Sequence, residues 1–290
     1  MTELDETELE PFGARLAAAM DDYGPLCVGI DPHPGLLTDW GLTDDPTGLA
    51  YFARTCVEAF GGRVAAVKPQ SAFFERHASA GIAILEATIV ALRAYGTLTI
   101  LDVKRGDIGS TMGAYADAYC GTGPLAADAV TVSPYLGFGS LDPVLSLAEE
   151  HGHGVFVLGL TSNPEGPSVQ HAVGPDGRSV AAAMVAGAAA ANAAAAERGE
   201  LGSVGLVVGA TVGSAVQDLG IDLAAANAPL LAPGIGAQGA TAEDLERVFG
   251  TARKNVLASS SREVLGAGPQ VEALRAAAEK TAAECARALR

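Results

Sequence analysis

The chain alternates short, uninterrupted apolar runs with longer stretches of helical periodicity. Fully buried parallel strands have this unbroken apolar composition. Helical candidates between the runs, such as 47–62, 81–96 and 241–250, end on the glycine that favours a helix C-terminus. The eight apolar runs are LCVGID (26–31), VAAVKP (64–69), LTILDVK (98–104), AVTVSP (129–134), GVFVLGL (154–160), VGLVVGA (204–210), LLAPGIG (230–236) and NVLASSS (255–261). Eight strands alternating with helices predict an α/β fold, the (β/α)8 TIM barrel.

An open, doubly wound sheet is the competing architecture. No GxGxxG motif follows the first run, and nearly every run ends in a polar residue or glycine. Such endings favour strands whose carboxyl ends converge on one shared site. We therefore expect a single TIM-barrel domain over 1–290, with the barrel core at roughly 24–266 and flanking N- and C-terminal helices.

Charge restricts the partners. The chain has 290 residues, 49% of them hydrophobic, which suffices for a full core, and its formal net charge is −16. Nucleic acid and anionic membranes require a basic surface, so neither is an expected partner. An anionic substrate would need a local cationic site.

Other features favour a cytoplasmic protein. The four cysteines, Cys27, Cys56, Cys120 and Cys285, lie far apart with no CxxC pair, so neither a zinc cluster nor a disulfide framework is indicated. The opening MTELDETELE lacks the features of a signal peptide. The most apolar long stretch, 181–196, is rich in alanine and interrupted by Asn192, which favours a barrel-wall helix over a membrane span.

Charged residues gather at the ends of neighbouring apolar runs. Asp102 and Lys104 are two positions apart on a strand, so both side chains should point to the same face. Lys68 ends the preceding strand and Asp107 follows in the loop, giving a row of alternating charge. Asp31 and Ser133 end two further strands. The alternative is a purely structural salt-bridge network that holds the barrel rim together. Four charges at adjacent strand ends favour a functional site instead.

A second cluster follows the last two runs. In TIM barrels the loops after strands 7 and 8 often bind phosphate through backbone N–H groups. The alternative is a glycine-rich turn and a surface arginine. The candidate ligands here are Gly234, Gly236, Gly239, Gln238 and Arg262, in PGIGAQG (233–239) and SSSREVL (259–265).

The run DVKRGDI (102–108) resembles the D-x-K-x-x-D-I signature of orotidine 5′-phosphate decarboxylases. The resemblance covers roughly residues 20 to 266 and is greatest to the longer bacterial subgroup, type 2. Its further blocks are GIDPHP (29–34), VKPQSAFFE (67–75), TVSPYLG (131–137), LTSNPEG (160–166), APGIGAQG (232–239) and SSSRE (259–263).

This resemblance implies a cofactor-free homodimer, without metal, that converts orotidine 5′-monophosphate (OMP) to UMP and carbon dioxide in the last step of de novo pyrimidine synthesis. It implies that Lys68, Asp102, Lys104 and Asp107 form a catalytic tetrad, with Asp107 reaching the partner's site and Thr111 beside it. The implied substrate ligands are Asp31 for a ribose hydroxyl, Ser133 for the pyrimidine amide, and Gln238 and Arg262 for the phosphate.

Three other functions remain open at this stage. A phosphosugar enzyme on a related barrel, such as a hexulose-phosphate synthase, shares the D-x-K strand but uses a divalent metal. A Schiff-base aldolase needs a neutral amine, whereas the carboxylates flanking Lys104 favour its ammonium form. A nucleotide-binding protein without catalysis would gain nothing from a buried lysine facing the ring.

Overall fold

The computed structural model describes residues 10–235 and 240–289, and in them eight parallel strands close into a barrel. Each strand pairs with its sequence neighbours, and Leu26 of the first strand lies opposite Ala258 of the last. The strands are β1 (Leu26–Ile30), β2 (Ala66–Pro69), β3 (Leu98–Arg105), β4 (Ala129–Val132), β5 (Gly154–Leu160), β6 (Val204–Val208), β7 (Leu230–Pro233) and β8 (Val256–Ser260). The predicted TIM barrel is confirmed, and the open sheet is excluded.

Helices follow the strands and cover the outside of the barrel. The described α-helices are α1 (Phe12–Tyr23), α2 (Pro34–Asp39), α3 (Pro46–Phe60), α4 (Ser71–Glu75), α5 (Ala78–Ala94), α6 (Gly109–Cys120), α7 (Asp142–Glu150), α8 (Pro167–Gln170), α9 (Val180–Ala191), α10 (Ala193–Glu197), α11 (Ala215–Asp218), α12 (Ala242–Phe249), α13 (Arg262–Leu265) and α14 (Val271–Leu289). Short 3₁₀ turns, Phe138–Leu141 and Gly250–Asn255, precede α7 and β8. Local sequence determines where several helices begin. The Asp45 carboxylate, for example, caps α3 by accepting a hydrogen bond from Gly48 N.

The barrel interior changes from apolar to polar along the strands. Ile100 of β3 and Ala66 of β2 belong to a buried apolar cluster inside the barrel. Two residues further along the same strands, and therefore on the same face, lie Asp102 and Lys68. The polar layer thus occupies the carboxyl end of the barrel, where a site can open to solvent.

Helix α1 closes the opposite end. Phe12 and Leu16 are fully buried in the same interior cluster, and the Phe12 ring meets Phe156 of β5 edge to face, with centroids 5.9 Å apart. A Cβ atom on Gly154 would lie 2.2 Å from the Phe12 ring, so only glycine fits there. Because α1 fills the amino end of the barrel, the polar layer is reached from the carboxyl end.

The alanine-rich stretch forms α9 and α10 on the barrel wall. Asn192, between the two helices, is 2% exposed and binds three backbone groups: its amide donates to Val204 O and Ala226 O, and its Oδ1 accepts from Val204 N. The polar interruption therefore anchors these helices to β6. No helix among the described residues is long and apolar enough to span a membrane.

The four cysteines are buried, and none forms a disulfide. Burial raises the pKa of the Cys27 and Cys120 thiols to about 12. The expected cytoplasmic location stays a prediction.

Candidate active site

A buried carboxylate lies between two ammonium groups at the carboxyl end of the barrel. Asp102 Oδ2 is 2.8 Å from Lys68 Nζ, and Asp102 Oδ1 is 2.5 Å from Lys104 Nζ. The side chains of Asp102 and Lys68 are only 7% and 10% exposed, whereas that of Lys104 is 41% exposed. The ammonium of Lys104 thus faces the space above the barrel, whereas the ammonium of Lys68 is buried inside the barrel.

The electrostatics keep this cluster ionised. Burial acts to raise the pKa of Asp102, but the two neighbouring ammonium groups outweigh it and lower the pKa to about 2. Burial likewise acts to lower the pKa of Lys68, yet the carboxylates of Asp102 and Asp31 more than offset this and raise it. The carboxylate and the buried ammonium are therefore both charged across the physiological range.

Thr131 on β4 connects the carboxylate to the backbone of β3. Its hydroxyl donates a 2.8 Å hydrogen bond to Asp102 Oδ1 and accepts one of 3.0 Å from Lys104 N. Lys104 has a left-handed backbone conformation, with φ of +46°. The pairing of β3 with β4 shifts between Leu101 and Arg105, so Asp102 and Lys104 lie within a bulge. The two side chains converge because of this irregular backbone as well as their spacing.

A cavity of about 360 Å³ opens above the charged cluster. Asp31 lies in its wall, and Asp31 Oδ1 is buried without a hydrogen-bond partner among the described residues. A buried acceptor without a partner points to a donor on a ligand. The polar wall residues are Asp31, Lys68, Gln70, Asp102, Lys104, Thr131, Thr161, Ser259, Ser260, Ser261, Arg262 and Glu263.

Residues that follow β7 and β8 form another part of the cavity wall. Gly234 lines it with φ of +93°, a conformation that favours glycine. Arg262 begins α13 at the cavity wall, and its side chain is exposed and makes no hydrogen bond or ion pair with the rest of the described chain. The predicted ligands Gly236, Gln238 and Gly239 lie outside the described residues.

Three predicted residues are not part of the cavity wall. Asp107 forms no ion pair with either lysine within the described chain, and its Oδ1 accepts a hydrogen bond from Ile108 N. Thr111 is exposed on the first turn of α6. The Ser133 hydroxyl donates to Lys104 O, 2.9 Å away, so it supports the bulge. The predicted contact of Ser133 with a pyrimidine stays a prediction.

Sequence analysis did not single out the two threonines in the wall, Thr131 and Thr161. Thr131 lies two positions before Ser133, and alternation along β4 could have indicated it. Thr161 follows β5. Its backbone N–H donates to Gln170 Oε1, and its hydroxyl accepts a hydrogen bond from Gln170 Nε2 and donates one to Asn163 Oδ1. The block LTSNPEG contained this residue, but no local pattern separates it from an ordinary loop threonine.

Within the described residues, no three His, Cys, Asp or Glu side chains are grouped so that they could hold a metal ion. Fold and site together define a TIM-barrel protein with an ion cluster at the carboxyl ends of β2 and β3, facing a cavity.

Comparisons with known proteins narrow this class. The family model described as Orotidine 5'-phosphate decarboxylase / HUMPS family matches residues 24–277. An orotidine 5'-phosphate decarboxylase of Streptomyces coelicolor is 60% identical over 278 residues, which is 95% of this chain and 97% of that protein. One of Corynebacterium glutamicum is 50% identical over 94% of this chain and 97% of that protein. The chain belongs to the orotidine 5′-phosphate decarboxylase / HUMPS family, and it is a decarboxylase.

Solved structures agree with this assignment. The OMP decarboxylase of Leishmania donovani superposes with a TM-score of 0.72 at 30% identity, covering 94% of this chain and 97% of that one. A Streptomyces avermitilis protein, provisionally named an orotidine 5'-phosphate decarboxylase, superposes with a TM-score of 0.93 at 58% identity. The match covers 100% of this chain and 99% of that one. The longer bacterial subgroup stays a prediction.

Proposed function

We propose that the protein decarboxylates orotidine 5′-monophosphate to UMP and carbon dioxide without a cofactor, as the last step of UMP synthesis. The observation that carries this proposal is the position of Lys104 Nζ, held 2.5 Å from the buried Asp102 carboxylate at the cavity wall. A fixed, partly exposed ammonium at a cavity is suited to stabilise negative charge that develops on a bound ligand.

The reaction requires such a cation. Loss of carbon dioxide from C6 of the pyrimidine leaves an electron pair in an sp² orbital that no adjacent carbonyl can delocalise. The ammonium of Lys104 stabilises this carbanion by proximity and then transfers a proton to C6. The bond to the carboxylate breaks, the electron pair stays on C6, and the N–H proton replaces the departing group.

Lys68 and Asp102 prepare Lys104 for this role. Asp102 receives both ammonium groups and the Thr131 hydroxyl, so its position is fixed from three sides. Its negative charge attracts the Lys104 ammonium and holds it 2.5 Å away at the cavity wall. Because these charges are paired before the substrate binds, little reorganisation is needed when charge develops on C6.

Substrate binding extends across the cavity. The unpartnered Asp31 Oδ1 suits a ribose hydroxyl, which donates the missing hydrogen bond. Arg262 and the backbone of Gly234, which also line the cavity, suit the phosphate, and Gly236 and Gln238 complete the proposed set. Binding energy from the remote phosphate helps to hold C6 against Lys104.

Asp107 is proposed to act in the site of a second subunit. It lies on a loop that abuts the loop after β4, since a Cβ atom on Gly106 would lie 2.1 Å from Ser133 O. These loops expose Ile108, Tyr135 and Leu136 to 60%, 81% and 53%. Apolar side chains around a carboxylate that has no lysine partner among the described residues of its own chain support a homodimer whose interface includes this rim.

Incubation of the purified protein with orotidine 5′-monophosphate and EDTA tests the proposal. We expect the ultraviolet absorbance of the substrate to disappear with stoichiometric formation of UMP. Lys104→Ala should abolish turnover and leave UMP binding largely intact, because the product carries no charge on C6. Near-normal turnover by this variant would remove Lys104 from the reaction.

A further inference from the structure

Lys104 occupies a backbone conformation that its own side chain does not favour. A left-handed φ at a residue other than glycine is unfavourable, so surrounding contacts must impose it. From inside, Thr131 binds Lys104 N and Ser133 binds Lys104 O. These contacts fix one side of the bulge.

The other side is held by Arg105, the residue after Lys104. Its guanidinium donates one hydrogen bond to Val103 O, 3.0 Å away, and one to Glu75 Oε1, 2.6 Å away. The same Glu75 oxygen accepts a hydrogen bond from Ser71 Oγ at 2.6 Å. Arg105 therefore clamps the peptide before Lys104 while it is itself held by α4.

Glu75 belongs to the helix that follows β2, the strand that carries Lys68. The Glu75–Arg105 ion pair thus joins the two chain segments that position the lysines on either side of Asp102. Neither residue lines the cavity, and both side chains are about one-third exposed. Surface ion pairs of this kind contribute little to stability. We therefore expect the Glu75–Arg105 pair to act by fixing the geometry of the bulge.

We infer that Glu75 and Arg105 form a positioning pair, which sets the aim of the Lys104 ammonium without touching the substrate. The inference rests on the proposed function for the identity of the ligand. A displacement of about 1 Å in a catalytic group can cost roughly a hundredfold in rate. Loss of the pair should therefore lower catalysis much more than it lowers stability.

The test uses Glu75→Gln and Arg105→Lys, which keep side-chain size but lose the charge or the two-pronged donor. Asp44→Asn is the matched control, because the adjacent Arg76 pairs with Asp44 at 2.6 Å with similar exposure but has no link to β3. Two ligands are titrated: UMP, and a UMP analogue with an ionised oxygen on C6, which reports the placement of the ammonium.

We expect the first two variants to lose at least tenfold in kcat and in affinity for the analogue, with UMP affinity within about threefold of wild type. The double variant Glu75→Gln/Arg105→Lys should lose no more than the larger of its two single variants, because the residues act as a unit. Asp44→Asn should match wild type. A lowered Tm with unchanged kcat and analogue affinity would overturn the inference.

Failure of the proposed function would be recognised separately. Wild-type turnover of orotidine 5′-monophosphate tests that function alone, whereas the ratio of analogue to UMP affinity is measured without turnover. Equal ratios in wild type and both single variants would refute the positioning role, whatever the activity.

Discussion

The hydroxyl of Thr131 donates to the same Asp102 oxygen that receives the ammonium of Lys104, 2.5 Å away, and it also accepts a hydrogen bond from Lys104 N. A single side chain on β4 therefore fixes both the Asp102 carboxylate and the backbone from which Lys104 extends. The buried ion pair is thus supported by neutral hydrogen bonds, which reduces the cost of placing it inside the barrel.

Replacing Thr131 with valine keeps the volume but removes both hydrogen bonds. We expect kcat to fall roughly tenfold to a hundredfold, and the free energy of unfolding to fall by about 1–3 kcal/mol, because buried polar groups lose their partner. Steady-state kinetics and urea unfolding measure the two effects.

Thr99→Val is the matched control for this change. Thr99 is a buried barrel threonine on β3, 1% exposed, and its hydroxyl has no hydrogen-bond partner among the described residues. The same substitution there should leave kcat unchanged and should not destabilise the fold. Equal kinetic losses in both variants would deny Thr131 a special role.

Arg262→Ala should weaken phosphate binding without altering the reacting centre. We expect KM for orotidine 5′-monophosphate to rise roughly a hundredfold, while turnover of orotidine, which lacks the phosphate, stays unchanged. Arg198→Ala provides a control, since that exposed arginine pairs with Glu200 at 2.7 Å just before β6. An equal loss with both substrates would mean that Arg262 does not act through the phosphate.

Asp102 should contribute a pH-dependent part of stability. Lys68 and Lys104 outweigh the effect of burial and lower its pKa to about 2, below the value of about 3.9 in the unfolded chain. Its stabilising contribution is therefore complete above about pH 4 and is lost as the pH falls towards 2.

Urea unfolding of wild type and Asp102→Asn across this range measures that contribution. The difference in free energy of unfolding should be constant from about pH 5 to pH 7 and should shrink below about pH 4. A difference that already shrinks near pH 6 would show that Asp102 titrates close to neutrality, contrary to its paired position.

The proposed role of Asp107 in the partner's site predicts complementation between two inactive proteins. Lys104→Ala and Asp107→Ala are mixed under conditions that allow subunits to exchange. In half of the dimers one site then holds a native Lys104 and a native Asp107, so about a quarter of wild-type activity should return. Activity that stays at the level of the separate variants would place Asp107 in the site of its own chain, or outside any site.

The sequence by itself determined the barrel and the neighbourhood of the site. Unbroken apolar runs mark buried parallel strands, and the carboxyl ends of such strands meet at one rim in a closed barrel. Lys68, Asp102 and Lys104 stand at those ends, so strand order and alternation were enough to predict that they lie near one another. The resemblance to a known family then added the expected reaction.

Only the tertiary structure decided how these residues are held. The shift in pairing between β3 and β4, the left-handed backbone of Lys104 and the Thr131 bridge all depend on contacts between strands that no local pattern encodes. The use of Ser133 as a backbone support has the same origin. Periodicity specifies which face a side chain occupies, whereas the partner that it meets there is set by register, and register is a property of the assembled barrel.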